Sequence, residues 1–191
     1  MRTLSLDFAS HEGHLACLED DVVRAIRSVS RVNDAEFIPL LETVLQEAAW
    51  KKEDIERIAC TVGPGGFTSV RGGVVFANAL ADQLRVPLAG YHGSALALAR
   101  TRADYWLHST KADALFLLGG AWTEPTLVAL VDVPANVTTV CGDLLDAHKT
   151  VLAERGATWA VPKPLEAVLP AFLSGLAYAG NSLVPWYGRG L

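Results

Sequence analysis

Alternating apolar and polar positions open the chain and predict three strands. Residues 2–8 alternate, and the segments His14–Glu19 and Val22–Ser30 follow after short polar turns and are predicted as the second and third strands. Alternation of this kind is typical of strands with one buried face, and tight polar turns join successive strands into antiparallel pairs. The opening of the chain is therefore predicted to be an antiparallel meander.

A helical period follows, and Asp34 is placed to cap its first turn. The apolar positions of this first helix are Phe37, Ile38, Leu40, Leu41, Val44, Leu45 and Ala48. They cover an arc of about 180°, wider than the ~100° stripe that packing against a single core requires. The first helix is therefore expected to have apolar surface beyond what its own core uses.

A glycine-rich segment lies between a fourth strand, predicted over Ile55–Val62, and a second helix ending near Leu84. The segment Thr61–Gly73 reads TVGPGGFTSVRGG. Thr68 or Ser69 is predicted to cap the helix. A short strand over Val86–Tyr91 and a helix capped by Ser94 complete the order β-β-β-α-β-α-β-α. This is the order of the ribonuclease-H-like unit that forms each lobe of actin-like ATPases, so we predict an α/β fold of that type, with a mixed five-stranded sheet.

The remainder predicts a second, reduced α/β lobe, with a domain boundary between residues 104 and 105. Strands are predicted at 114–118, 127–133, 137–141 and 157–161, and helices at 144–153 and 165–178. The tail from Leu183 onward is predicted to be loop. This half looks too short to be a full copy of the first, so lobes are expected at 1–104 and 105–191.

The glycine-rich turn could hold an anion at a helix N-terminus, or it could allow close packing of the helix. Three features weigh against phosphate binding by this turn alone. Between Lys52 and Lys111 the sequence has no lysine that could reach a phosphate. Thr68 stands where the dinucleotide fingerprint has its third glycine, and Pro64 lacks a backbone N–H. Packing is the favoured interpretation, and nucleotide binding remains the alternative.

The helix after this turn is apolar on two sides. One face, sufficient for packing on a sheet, carries Val70, Val74, Ala77, Ala81 and Leu84. The opposite face carries Gly72, Phe76 and Ala79, with Arg71 on a narrow polar stripe between them. Helices with apolar residues nearly all round are buried on both sides. We therefore expect the second face to be covered by another lobe or by a partner.

Composition and charge exclude several classes. The chain has 191 residues, of which 51% are hydrophobic and 19% charged, and its net charge is −5. A packed globular protein is indicated, and direct nucleic-acid binding is disfavoured because it usually needs basic patches. Its three cysteines are far apart in apolar runs, typical of buried thiols in a reducing compartment. An early acid at Asp7 and the lack of long apolar runs predict a cytoplasmic protein with no membrane contact.

Candidate catalytic residues lack their usual companions. Asp7 ends the first strand, where actin-like ATPases place an acid near Mg²⁺, but bulky residues follow it and favour a structural role. His11 and His14 flank a turn without further identifiable ligands, and His92 has Leu96 at the i+4 position where a metal pair would need histidine. No metal site is predicted. A small nucleotide-dependent or metallopeptidase-like hydrolase using Asp7 and the Gly63 loop stays open as the alternative function.

Gly63 to Gly73 resembles the Gly-Pro-Gly-Ser-Phe-Thr-Gly-Leu-Arg-Ile-Gly segment of the TsaB (YeaZ) family. The agreement covers the turn glycines Gly63 and Gly65 and the residues Phe67, Thr68 and Arg71. An opening strand that ends in Asp7 and a Leu-Leu-Pro-like helix start at 37–41 support it. The resemblance extends over roughly residues 1–100.

This resemblance implies a non-catalytic subunit of the complex that forms N6-threonylcarbamoyladenosine at position 37 of tRNAs reading ANN codons. The family pairs with a TsaD-like catalytic subunit and works with a TsaE-like ATPase, so tRNA contact would be indirect, and a homodimer is possible without the partner. The first two helices would form the partner interface through Phe37, Leu41, Gly72, Phe76 and Ala79. No cofactor is implied, although ATP at a partner interface could contact Asp7, Gly63, Gly65, Thr68 and Arg71.

Overall fold

Two five-stranded sheets carry the fold of this protein, for which a computed structural model describes residues 1–10, 13–30, 32–111 and 113–188. One compact unit contains Met1–Gly93 together with Glu166–Tyr187, and the other contains Ser94–Leu165. The division at residues 104 and 105 stays a prediction about domain organisation. None of the helices in the described ranges has the length and apolar character needed to span a membrane.

The first sheet has the strand order β3-β2-β1-β4-β5. Its strands are β1 Arg2–Asp7, β2 Gly13–Glu19, β3 Val22–Val29, β4 Arg57–Gly63 and β5 Leu88–His92. The pairs β1/β2 and β2/β3 are antiparallel, whereas β1/β4 and β4/β5 are parallel. This confirms the predicted meander and the mixed five-stranded sheet.

Three helices belong to the same order of elements. They are α1 Phe37–Glu47, α2 Phe67–Leu84 and α3 Gly93–Arg100. The prediction that Asp34 caps α1 is wrong. A 3-10 turn over Asp34–Glu36 precedes the helix, and Asn33 caps that turn by accepting a hydrogen bond from the Ala35 N–H. Glu36 closes the capping box by accepting from the Asn33 N–H, which satisfies donors that the helix cannot.

The core of the first unit lies between the sheet and the helices α1 and α2. Helix α1 packs on β2 and β3, and α2 packs on β4. Leucine and isoleucine from the strands, together with aliphatic residues of both helices, fill this layer: Leu4, Leu6, Leu15, Ile58, Leu41, Val44, Val74 and Ala77. Burying a side chain of this size stabilises a fold by roughly 1.5–3 kcal/mol, so the core fixes the position of both helices.

The second sheet repeats the topology of the first. Its strands are β6 Tyr105–Lys111, β7 Ala114–Gly119, β8 Trp122–Ala129, β9 Thr139–Cys141 and β10 Thr158–Trp159. Read from β8, the order is β8-β7-β6-β9-β10, which matches β3-β2-β1-β4-β5. Antiparallel and parallel pairs also fall in the same places.

The expectation that the second half is too short for a full copy is therefore wrong for the sheet and right for the helices. Where α1 joins β3 to β4, the second sheet has only a 3-10 turn, Leu130–Asp132, between β8 and β9. The counterpart of α2 is α4, Asp146–Glu154, which has 9 residues against 18 in α2. The copy keeps the number and order of the strands, but its helices are reduced and β9 and β10 have only 3 and 2 residues.

Three elements of the second half differ from the predictions. Strand β6 was not predicted, because its apolar start, Tyr105–Leu107, is short and is followed by four polar residues at 108–111. The strand expected over 127–133 is β8, which begins at Trp122. The last helix, α5 Leu165–Ser174, ends four residues before Tyr178.

Candidate functional site

The glycine-rich turn begins at the end of β4, where the C-terminal segment of the chain lies against it. Gly63 has φ +135°, a backbone conformation that favours glycine. A Cβ at this position would lie 2.4 Å from the carbonyl oxygen of Trp186. The Trp186 N–H donates to the Val62 carbonyl at 2.8 Å. Gly63 is therefore required by the packing of the chain's own backbone.

Gly65 has the same kind of role toward the turn that follows β1. A Cβ on Gly65 would lie 2.4 Å from the carbonyl oxygen of Ala9. The glycine-rich turn consequently lies directly against the 7–10 turn. Together the two glycines bring three backbone segments into contact, which supports the packing interpretation over the anion cradle.

Asp7 is 3% exposed, and its carboxylate is occupied by local hydrogen bonds. Its Oδ1 accepts from the N–H groups of Ala9 and Ser10, both at 3.0 Å, and its Oδ2 accepts from the Ser10 hydroxyl at 2.6 Å. Carboxylates with two backbone donors commonly hold a turn in place. This geometry supports the structural role for Asp7, and its contact with a nucleotide stays a prediction.

The buried charge of Asp7 also affects its neighbours. Burial, followed by the negative charge of Asp7, raises the pKa of the Cys60 thiol well above its usual range. The same two causes, in the same order, raise the pKa of the Tyr91 hydroxyl. Both groups are therefore neutral at physiological pH, and Cys60 lacks the thiolate that a nucleophile would need.

The start of α2 is capped differently from the prediction. Gly66 is the N-cap, with no side-chain hydrogen bond, and its carbonyl accepts from the Val70 N–H at 2.9 Å. The capping role predicted for Thr68 or Ser69 is wrong, because both residues lie within the first turn of the helix. Thr68 is exposed on that turn.

The sheet-facing side of α2 is as predicted: Val70, Val74, Ala77 and Ala81 are buried. The second apolar face has a neighbour within its own unit. A Cβ on Gly72 would lie 2.8 Å from Asp34 Oδ1 and 3.3 Å from the Phe37 ring. The small residue at 72 thus admits the start of α1, which covers this part of the face, while Ala79 farther along the same face stays exposed.

An aromatic cluster locks α1 onto α2. The Phe37 ring stacks on Phe8 with centroids 4.4 Å apart, and it lies 5.3 Å from Phe76. Phe37 and Leu41 are only 4% and 3% exposed, and Phe76 is half-buried. Of the five residues predicted to contact a partner, Ala79 alone is exposed.

A different set of α2 residues forms the outer face of this helix. Phe67 and Val75 are each 60% exposed, and with exposed Arg71 and Ala79 they recur every four residues along the helix. On α1, Ile38 is 54% exposed. Residues spaced by four lie on one side of a helix. We call Phe67, Arg71, Val75 and Ala79 the α2 strip.

Arg71, on the α2 strip, lies beside an aromatic ring. Its guanidinium carbon lies 5.7 Å from the centre of the Phe67 ring. Across the described residues, Arg71 forms no ion pair or hydrogen bond. An arginine held beside an aromatic ring, and otherwise available, suits recognition of an anionic group.

The described histidines and cysteines form no metal-binding cluster. Within the described ranges, no group of three or more His, Cys, Asp or Glu side chains is arranged to hold a metal ion. His14 is buried and hydrogen-bonded to Ser5 Oγ at 2.9 Å. His11, the other histidine of the predicted turn, lies outside the described residues. Ring centroids of His92 and Trp186 are 4.8 Å apart.

The sequence reasoning missed the part that the C-terminal segment plays at this site. The tail was predicted as loop, and it has no regular structure, but the Asn78 side chain binds the backbone of Leu183 through two hydrogen bonds of 2.9 and 2.8 Å. Gly180 and Leu88 form an antiparallel bridge. The sequence does hold one sign that the tail packs: the aromatic pair Trp186–Tyr187, because two large aromatic residues are unusual in a tail that contacts only solvent.

Comparison with known proteins identifies the family. The family described as TsaD, tRNA N6-adenosine threonylcarbamoyltransferase, matches residues 27–179. The chain belongs to this family. TsaB proteins, named for tRNA threonylcarbamoyladenosine biosynthesis, are 29% identical over 90 residues in Bacillus subtilis strain 168 and 31% identical over 91 residues in Escherichia coli K12. A tRNA N6-adenosine threonylcarbamoyltransferase of Cytophaga hutchinsonii is 37% identical over 59 residues.

These matches are partial. They cover 46%, 47% and 31% of this chain and 39%, 39% and 17% of the respective relatives. Thus the chain spans well under half the length of the curated relatives it matches. The resemblance to TsaB predicted from the glycine-rich segment is nevertheless confirmed by the TsaB relatives. They do not support the hydrolase alternative.

Solved structures confirm the fold over nearly the whole chain. A protein described as similar to the peptidase YeaZ from Pseudomonas aeruginosa has a TM-score of 0.74 and 17% identity, covering 98% of this chain and 99% of that one. YeaZ from Pseudomonas aeruginosa has a TM-score of 0.68 and 17% identity, covering 91% of both chains. The predicted two-lobe, ribonuclease-H-like fold is confirmed.

Proposed function

We propose that this chain is a non-catalytic partner subunit in the formation of N6-threonylcarbamoyladenosine at position 37 of ANN-decoding tRNAs. It would bind a TsaD-like catalytic subunit in the cytoplasm. Membership of the TsaD family and the TsaB relatives support the pathway. The observation that carries the partner role is the α2 strip, an outward face with two large exposed apolar side chains on a helix that packs on β4 and against the start of α1.

The strip has the character of a docking surface. Two large apolar side chains, Phe67 and Val75, are 60% exposed on one side of a rigid helix, and Arg71 lies between them. Single exposed apolar residues are ordinary, but a contiguous group with an aromatic residue and an arginine is typical of protein interfaces. Ile38 on α1 adds further exposed apolar surface.

The remaining residues of the predicted interface would act from behind this face. Phe37, Leu41, Gly72 and Phe76 hold α1 and α2 together, so they would set the shape of the surface rather than touch the partner. Ala79 would touch it directly, because it lies on the strip and is small enough for a partner helix to approach closely. The interface assignment is thereby moved outward from the core-facing residues.

Chemistry would be supplied by the partner. The space beside Gly63 and Gly65 is occupied by this chain's own backbone, and the Asp7 carboxylate is hydrogen-bonded within its turn. These three residues would therefore contact a nucleotide only indirectly. Thr68 and Arg71 are exposed at the start of α2 and could contact ATP held mainly by the partner. A TsaE-like ATPase would work with this pair, and the tRNA would be contacted only indirectly.

Binding of a TsaD-like subunit tests the partner role. Val75→Asp and Ala79→Glu should each weaken binding at least tenfold by calorimetry, because each buries a carboxylate in an apolar interface. Val131→Asp is the control, since Val131 is also an exposed valine, at 77%, and belongs to the second unit. Unchanged binding by both strip variants would refute this interface.

Turnover of ATP tests the absence of catalysis. The purified chain alone should not hydrolyse ATP above background, and reconstituted tRNA modification should still depend on the TsaD-like subunit. Robust hydrolysis by the chain alone that Asp7→Asn abolishes, with the fold retained by circular dichroism, would overturn the non-catalytic assignment.

A further inference from the structure

The C-terminal segment is part of the first unit, and it ends beside the α2 strip. Backbone hydrogen bonds join Trp186 to Val62 at 2.8 Å and Leu88 to Gly180 at 3.0 and 3.2 Å. The side chain of Asn78, on α2 itself, holds Leu183 from the other side. The segment 180–187 is therefore fixed relative to α2 at several points along its length.

These bonds place one more aromatic ring on the strip. The Tyr187 ring lies 4.9 Å from the Phe67 ring at an interplanar angle of 32°. Both rings are substantially exposed, Phe67 at 60% and Tyr187 at 40%. Ring pairs at this distance attract each other, so the pair is a preformed apolar platform at one end of the strip.

A positive charge lies at the edge of this platform. The Arg71 guanidinium is near the Phe67 ring, and within the described part of the chain no carboxylate pairs with it. An arginine at the edge of this pair of exposed rings is complementary to a partner surface that presents an apolar side chain and a carboxylate.

We propose that Phe67, Tyr187 and Arg71 form the anchor of the docking surface, with Tyr187 contributed by the C-terminal segment. An apolar side chain of the TsaD-like partner contacts the two rings, and a carboxylate of the same partner pairs with Arg71. Tyrosine and arginine are enriched among the residues that dominate binding energy. This inference rests on the proposed function and extends the docking surface beyond the two helices.

Calorimetry with the TsaD-like subunit tests the anchor. Tyr187→Ala and Phe67→Ala should each weaken binding about tenfold or more, whereas Tyr187→Phe should bind as the native chain does because the ring is kept. In the variant with both alanine substitutions, the fold-loss of affinity should be smaller than the product of the two single fold-losses, since the two rings act as a unit. Arg71→Met should lower the affinity and its dependence on salt.

Val184→Ala is the matched control on the same segment, because Val184 is 71% exposed and separate from the anchor. Thermal unfolding should be unchanged in Tyr187→Ala, which excludes simple loss of fold. Native affinity for Tyr187→Ala, while Val75→Asp still abolishes binding, would overturn the anchor and leave the proposed function intact. The anchor would also be overturned if Tyr187→Ala lost self-association but bound the partner as the native chain does. That result would assign the platform to a second copy of this chain.

Discussion

At the scale of single residues, the glycines of the turn are explained by what lies next to them. Gly63 faces the Trp186 carbonyl and Gly65 faces the Ala9 carbonyl. A phosphate loop needs small residues so that a ligand can approach, whereas here backbone from elsewhere in the chain already fills the space. The same residue type at the same spacing therefore serves packing.

Gly63→Ala should lower the free energy of unfolding by about 2–4 kcal/mol, because alanine must adopt an unfavourable φ and its Cβ would collide with the Trp186 carbonyl. Urea denaturation measures this loss. Gly66→Ala is the control: Gly66 has φ −60°, and its Cβ would meet nothing closer than Ser69 Oγ at 3.6 Å. Its cost should stay under about 1 kcal/mol. Equal losses in both variants would contradict the role given to the C-terminal segment.

His108 is the residue from which a pH dependence is expected. Burial lowers the pKa of its imidazole below the ordinary 6.5, and Asp143 offsets this only in part. Because the folded pKa is the lower one, the unfolded chain binds the proton first. The stability contributed by neutral His108 is complete above about pH 6.5 and is lost as the pH falls from that value through the lower folded pKa.

Urea denaturation at pH 7.5 and at pH 5.5 checks this expectation. The free energy of unfolding should fall between the two, by no more than about 1.4 kcal/mol for each pH unit from this group. His108→Gln should reduce the difference. Stability that rises on acidification would show that the imidazole gains a proton on folding.

At the scale of elements, the periodicity of α2 predicted two apolar faces correctly but could not identify what covers the second. Gly72 and Phe76 looked like a free surface because sequence periodicity shows which residues share a face, not which neighbour the chain brings to it. That neighbour is Phe37, at the start of α1, and its contact depends on the path through the Asn33 cap. Exposed Val75 was overlooked because it lies between the two faces.

The different roles of neighbouring α2 positions give a prediction at this scale. Phe76→Asp should lower the free energy of unfolding by about 2–4 kcal/mol, because it places a carboxylate beside the rings of Phe37 and Phe8. Ala79→Glu, at an exposed position, should change it by no more than about 0.5 kcal/mol. Chemical denaturation of both variants measures the contrast. Equal stability would mean that Phe76 belongs to the surface.

At the scale of the whole molecule, the sheet of the first unit was predictable and the repeat was not. The alternation of residues 2–8, the short polar turns, the helical periods and the glycine-rich turn predicted the order of elements through Arg100. The repeat escaped notice because β6 was not predicted, so only four of the five strands of the second sheet were expected and its central strand was missing. The candidate site was predictable in its turn and α2, but not in its tail, since no local pattern indicates where an irregular segment will pack.

The discontinuous first unit leads to a prediction about truncation. A chain ending at residue 165 would lose α5 and the segment that pairs with β4 and β5. Without Gly180, the Leu88 N–H loses its acceptor, and Tyr91 loses its edge-on contact with Phe172 at 5.1 Å. Hydrogen exchange should show faster exchange at Leu88 in the truncated chain, while amides of β6 and β7 keep their protection. Retained protection at Leu88 would refute the dependence.

The return of residues 166–187 to the first unit has a consequence for synthesis. Domains usually fold as they emerge from the ribosome, beginning at the N-terminus. Here the first sheet emerges early, yet the segment that closes over its glycine turn is translated after the entire second sheet. The earliest part of the protein is thus the last to be finished, and a nascent chain interrupted before Tyr187 would present its docking helix without the aromatic platform. The docking surface would therefore be complete only on chains whose translation has passed Tyr187.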